Sequence, residues 1–223
     1  MTAPDPSREH VSAPPTFSAD FAARLRDLIL WRRDVRRFRT DPVPDDLVAR
    51  LIDLACHAPS VGNCQPWRFV HVDDPGRRAA VLASFQRAND AALAGYEGDT
   101  RALYARLKLE GLETAPVQIA VFADEATGRG AGLGRATMPE TLRYSVVGAI
   151  HTLWLAARAE GVGLGWVSLL EPDVVTRALD VPQDWALVAY LCLGWPVEEH
   201  LDPELVRAGW QARAESATFV LRR

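Results

Sequence analysis

The segment Trp31-Arg32-Arg33-Asp34-Val35-Arg36-Arg37-Phe38 places four guanidinium groups and one carboxylate within eight residues. Planar forks of fixed donors match oxyanions bidentately, so this strip suits a phosphate and an electron-rich heterocycle. A second segment follows, Ala58-Pro59-Ser60-Val61-Gly62-Asn63-Cys64-Gln65-Pro66-Trp67. It is a turn-forming stretch whose Ser60, Asn63 and Gln65 offer donors and acceptors to a polyhydroxylated chain and to ring edges. Each segment has a plainer use when taken alone. Arginines at a helix end complement its dipole, and Ser and Asn stabilise turns through their own backbone.

Elements of definite type must position these segments. Phe21, Leu25, Leu28 and Ile29 recur at helical spacing, so a helix from Ser18 should deliver Trp31–Arg33 at its C-terminal end. Pro44-Asp45-Asp46 opens a second helix with Leu47, Leu51, Ile52 and Leu54 as its apolar face, ending before Pro59. Ser60–Gln65 is then a loop and Trp67–Val72 a strand. Polar, alanine-rich helical stretches cover about Arg77–Ala94 and Thr100–Leu112. Val117–Phe122 reads as a buried strand from its continuous apolar character. Met138–Glu160 is the longest helix, expected to run through the core because apolar residues surround it, and Gly161 and Gly163 stop it. Strands at Leu164–Leu169 and Ala186–Leu193 flank a short helix from Pro172 to Leu179. Thr218–Leu221 is expected to form a last strand.

Composition fits one substantial core: the chain has 223 residues, of which 48% are hydrophobic. Residues 1–16 hold four prolines and read as a disordered tail, and 17–223 as a single domain. A net charge of −4 argues against a nucleic-acid partner, whose binder would be basic. Cys56, Cys64 and Cys192 form no CxxC, so neither zinc nor a disulfide framework is favoured. His151 is expected to be a hydrogen-bonded core residue, and the five histidines form no ligand cluster. The glycine-rich Thr127–Thr137 reads as a flexible loop and lacks the spacing of a dinucleotide fingerprint. With no long apolar run near the N-terminus, no signal peptide or membrane span is expected, and the cytoplasm is the expected compartment.

The order and wording of the two segments resemble the FMN-binding elements of the nitroreductase-like flavoproteins. Asp34 resembles the flavin-destroying members of that family, since ordinary members usually carry a serine there. Gly165-Trp166-Val167-Ser168-Leu169-Leu170, Thr137-Met138-Pro139-Glu140-Thr141 and Gly194-Trp195-Pro196 with Glu198-Glu199-His200 also resemble it. The resemblance covers about Phe17 to Arg213, and its departures are the proline-rich tail and Cys64.

The resemblance implies an α+β fold with a central, mostly antiparallel sheet flanked by helices. It implies a homodimer with FMN at the subunit interface, a mobile helical excursion over the flavin, and exchange of the chain after Pro196 between subunits. The implied flavin contacts are Arg32, Arg33, Asp34 and Arg36 of the strip, and Ser60, Asn63 and Gln65 of the loop. Ser168 and Leu169 follow, and Arg207, with Arg213 as the alternative, would meet the phosphate. Arg32 and Arg36 are expected to divide phosphate and ring between them.

Asp34 and Ser168 are the implied catalytic pair. Asp34 would serve as base or proton relay against the ribityl chain, and Ser168 would lie near the reactive ring edge. Among four arginines Asp34 is expected to have a lowered pKa. A salt-bridging acid and a satisfied strand hydroxyl are the plainer roles for these two residues. The implied reaction is the oxygen-dependent fragmentation of reduced FMN to 5,6-dimethylbenzimidazole and erythrose 4-phosphate, with a separate reductase supplying the reduced flavin. The alternatives are an NAD(P)H-dependent reductase that retains FMN and a non-catalytic flavin-binding protein.

Overall fold

The computed structural model describes residues 14–107 and 110–223. Most of the expected tail, residues 1–13, therefore lies outside the described residues. Helix α1 (Ala19–Trp31) starts at Ser18, whose Oγ accepts the Phe21 N–H at 3.1 Å. Helix α2 (Asp45–Ala55) follows Pro44, with Asp45 and Asp46 in its first turn. Its buried stripe is Leu47, Val48, Leu51 and Ala55. The i, i+4 row thus continues through Ala55, and Leu54, expected on the apolar face, is exposed.

Four antiparallel strands form one sheet in the order β1 (Trp67–His71), β2 (Val117–Asp124), β4 (Trp185–Gly194), β3 (Gly163–Val167). Side chains of a strand alternate between faces, and in β2 both faces are covered. Ile119, Val121 and Ala123 join a core layer under α2 and helix α6 (Thr141–Ala159). Ala120 and Phe122 join a second layer with Val81 of α3 (Pro75–Ala94) and with Val175 and Leu179 of α7 (Pro172–Leu179). Double coverage explains the unbroken apolar run read from the sequence. No helix among the described residues is long and apolar enough to cross a membrane.

Several expectations need correction. Met138–Glu140 precede α6 as a turn, and one side of the helix exposes Tyr144, Val147 and His151, so His151 is not a core residue. The second excursion helix splits into α4 (Gly98–Tyr104) and α5 (Gly111–Thr114), with residues 108–109 outside the described ones. Strand β3 ends at Val167, leaving Ser168 and Leu169 just beyond it. Thr218–Leu221 forms no strand: Ser216–Phe219 is a 3-10 turn, and Phe219, Val220 and Leu221 are exposed because none of the described residues covers them.

The arginine strip closes the free edge of β3. Asp34 pairs in parallel with Leu164, the Val35 N–H donates to the Leu164 carbonyl at 3.0 Å, and Phe38 bridges Pro196. This crossing needs glycine below it. A Cβ on Gly163 would meet Val35 Cγ2 at 2.9 Å, and one on Gly165 would collide with the Val35 carbonyl oxygen. Gly165→Ala therefore forces backbone apart rather than a flexible side chain. We expect it to destabilise the protein by about 1–3 kcal/mol. Urea unfolding of the variant checks this, and an unchanged midpoint would disprove the close crossing.

Candidate functional site

Arg32 ends α1 in an extended conformation, its N–H still donating to the Leu28 carbonyl at 2.9 Å. The chain is held there by α6, where Trp154 Nε1 donates to the Arg33 carbonyl at 3.0 Å. The Arg32 guanidinium lies 4.7 Å from the Trp154 ring centroid, a cation–π contact that leaves the rim of the fork free. Burial lowers the Arg32 pKa, with Asp34 opposing the shift and Arg213 adding to it.

The four arginines separate into two pairs. Arg33 donates from Nε to the Leu201 carbonyl at 2.8 Å and also reaches the Arg32 and Leu30 carbonyls. Arg37 binds Glu198 at 2.8 Å through Nε, and Glu204 through its terminal nitrogens. Both are thereby committed to backbone or carboxylate partners. Arg36 is not: its Nε is buried without a hydrogen-bond partner among the described residues and lies 3.6 Å from Asp34 Oδ2. A buried, unsatisfied guanidinium donor is costly, so Arg32 and Arg36 are the two forks with capacity left for a ligand.

Asp34 accepts the Trp166 N–H on Oδ1 at 2.8 Å, in effect extending the β3 edge with a side chain. Desolvation raises its pKa, against the Trp166 N–H, Arg36 and Arg32, which pull it down. This corrects the expected direction. The sequence places four cations beside Asp34, but Arg33 and Arg37 turn to the C-terminal segment, and burial outweighs the two that remain. The side chain keeps 36% of its surface open to solvent.

These residues line a cleft whose far wall is the segment from Glu198 to Arg207, with Trp154 and Arg158 at one end. Arg207 stands in that wall, donating to the Asp202 carbonyl at 2.8 Å. Sequence reasoning missed Trp154 and Arg158. Their signal is faint: two residues four apart on the polar-tending side of an otherwise apolar helix.

Ser60, Asn63, Gln65, Ser168 and Leu169 do not line this cleft in the same chain. The polar loop is built locally. Gly62, Asn63 and Gln65 all have positive φ, and Ser60 Oγ accepts the Gln65 N–H at 3.1 Å. Gln65 Nε2 donates to Asn63 Oδ1 at 3.0 Å, and Arg129 Nη2 donates to Gln65 Oε1 at 3.2 Å. Ser145, also missed, accepts the Val61 N–H at 3.0 Å and so ties the loop to α6. The glycine-rich stretch is not a free loop: a Cβ on Gly130 would meet the Gly62 carbonyl at 2.7 Å, so the two turns pack backbone to backbone.

The nitroreductase family pattern matches residues 29–195. A 5,6-dimethylbenzimidazole synthase of Rhodospirillum rubrum is 62% identical over 199 residues, covering 89% of this chain and 94% of that protein. One of Rhodobacter capsulatus is 52% identical over 187 residues, covering 84% and 90%. Among solved structures, iodotyrosine deiodinase bound to FMN and 3-iodo-L-tyrosine superposes with a TM-score of 0.70 at 24% identity, covering 89% of this chain and 97% of that one. A nitroreductase-like protein of Streptococcus mutans gives 0.68 at 19% identity, covering 91% and 98%.

Asp34→Asn keeps an acceptor for the Trp166 N–H while removing the half-buried charge. A carboxyl with a raised folded pKa holds its proton more tightly folded than unfolded, so the wild type loses stability as pH rises through the carboxylate range. The ligand-free Asn variant should melt above the wild type at about pH 7, and the gap should close toward about pH 4. Melting scans at both pH values measure it, and a lower melting temperature at neutral pH counts against the raised pKa.

Proposed function

This chain belongs to the nitroreductase family, and from that premise we propose that it converts reduced FMN and dioxygen to 5,6-dimethylbenzimidazole, the lower ligand of cobalamin, and erythrose 4-phosphate, with the pyrimidine part of the flavin released as a third fragment. One observation carries the reading. Asp34 sits between the Trp166 N–H and Arg36, on the wall of an arginine-lined cleft, in a chain 62% identical to a protein named for that product.

The residues present fit FMN. The orphaned Arg36 Nε and the free rim of Arg32 call for an acceptor-rich, anionic ligand, and Arg207 adds a third cation. Arg33 drops out of the expected contacts because its donors are already spent on backbone carbonyls. Ser60, Asn63, Gln65, Ser168 and Leu169 reach the ligand in this proposal only where two chains meet. Exposed Phe21, Leu25 and Ile29 on α1, with Tyr144 and Val147 on α6, supply the apolar surface for such a homodimer.

Reduced FMN, delivered by a separate reductase, supplies the electrons for dioxygen and the ring carbons of the product. The protein's own part is binding and proton management. Arg32 and Arg36 orient the ligand. Asp34 is tethered through Oδ1, leaving Oδ2 to accept a proton from the sugar carbon attached to the ring. Its raised pKa makes it a better base than a solvated carboxylate. Ser168 supplies a hydroxyl at the end of β3, where the exposed side chain is free to meet a ligand from the interface.

Arg36→Ala removes a charge-assisted donor and should weaken binding of reduced FMN by about 1.5–3 kcal/mol. Anaerobic titration measures this, and unchanged affinity would remove Arg36 from the site.

Asp34→Asn and Ser168→Gly should each bind reduced FMN yet fail in turnover, with Asp34→Asn slowing benzimidazole formation by about 10²–10⁴-fold. Flavin affinity, flavin reoxidation and benzimidazole are followed together in air. Wild-type product formation by Asp34→Asn would reduce Asp34 to an edge-strand acceptor. Intact flavin with rapid nicotinamide-dependent turnover in the wild type would instead mark a flavin-retaining reductase.

A further inference from the structure

The far wall of the cleft has little reason of its own to stay where it is. No residue from 197 to 209 is buried, and Val197 and Leu201 are mostly exposed. Apolar burial, the usual source of placement, contributes little along this stretch. Backbone pairing contributes little more, since Val197 N–H to the Arg37 carbonyl, 3.2 Å, is its one ladder-like bond to the strip. Even so, the segment lines the cleft with Glu204 and Arg207.

Side chains of the strip hold it. Arg37 spans two carboxylates at different points of the segment, Glu198 through Nε and Glu204 through both terminal nitrogens. Its side chain is only 29% exposed and that of Glu204 21%, so this network is better shielded than an isolated surface pair. The pairing lowers the Glu198 pKa to about 2, with His200 as a second partner. At the other end Trp210 meets Tyr96 edge-on at 5.6 Å and lies 6.1 Å from Tyr104, whose hydroxyl is held by Asn89. The segment is therefore a strap anchored by Arg37 at its start and by Trp210 at its end, with α8 (Glu204–Arg207) between them and with Arg158 on Glu199 and Arg33 on the Leu201 carbonyl as further ties.

We propose that Arg37 is a positioning residue: by clamping Glu198 and Glu204 it holds the strap, and through it Arg207, against the ligand cleft. The part concerning the ligand rests on the proposed function; the clamp itself does not. Arg37 contributes no donor to the cleft in this assignment. Its neighbour Arg36 binds, and Arg37 keeps the opposite wall within reach.

The test uses the full chain with Arg37→Met, Arg37→Lys, Glu204→Gln, Arg207→Met and the Arg37→Met/Arg207→Met double variant. Two readouts are taken: amide hydrogen exchange without ligand and affinity for reduced FMN. Arg37→Met should speed exchange across 197–207 by about tenfold while leaving β4 peptides unchanged, and Glu204→Gln should do the same. Arg37→Lys should restore part of the protection. Affinity should fall by about tenfold in Arg37→Met, with little further loss once Arg207 is already Met, because coupled residues do not add. Wild-type exchange in both Arg37→Met and Glu204→Gln overturns the clamp, as does general loss of protection in β4. Independent, multiplying losses from Arg37→Met and Arg207→Met overturn its action through Arg207. If the wild type fails to bind reduced FMN while the exchange effect remains, the clamp stands, and the proposed function falls together with the action through Arg207.

Discussion

The crossing of Asp34–Val35 over the glycines of β3 is the constraint on which the site depends. Sheet edges carry unpaired N–H groups, and here the edge is closed by a strip that is not itself a strand. Asp34 does this with its carboxylate on the Trp166 N–H, and Val35 with its backbone on Leu164. Only Gly163 and Gly165 allow an approach this close. One packing event therefore seals the sheet edge, half-buries an acid and places Arg36 beside it.

That geometry also sorts the charges. Because the strip is extended across the edge, neighbouring arginines cannot all face one way. Arg33 and Arg37 face the C-terminal segment and find carbonyls and carboxylates; Arg36 remains beside Asp34 with an unmet donor. Charge number alone predicts a strongly acidic Asp34, whereas burial reverses the direction. The ligand-free site thus stores two unfavourable features, a desolvated carboxylate and an orphaned guanidinium N–H. Proteins tolerate such defects where a binding partner resolves them.

What the sequence discloses follows from how local each determinant is. The helices and strands were legible because periodicity, Ser18 and Pro44 are local signals. The family was legible because the arginine strip and the Pro-Ser-x-x-Asn-x-Gln-Pro-Trp loop are each short and contiguous. The partners of the arginines were not, since Leu201, Glu198 and Glu204 lie over 160 residues away in sequence. Leu54 and His151 were misplaced for a related reason. Helical spacing gives the apolar face only to within a residue, and α6 exposes a side that none of the described residues covers.

The separation of the polar loop from the cleft follows from the same architecture. The strip is bound to β3 at one edge of the sheet, while the Ser60–Gln65 loop leads into β1 at the other edge. Strands β2 and β4 separate those two edge strands, and the strip cannot move without abandoning its backbone pairing to β3. The loop is also braced against α6 by Ser145 and against the 129–132 turn by Gly62. A ligand using both segments must therefore bring two protomers together rather than bend one. Exposed aromatic and aliphatic side chains on α1 and α6 lie on the two helices adjoining these segments: α1 runs directly into the strip, and α6 carries Ser145 beneath the loop. Under the proposed function, burial of that surface and completion of the site would be the same event, and the stability of the assembly would be tied to its competence for binding.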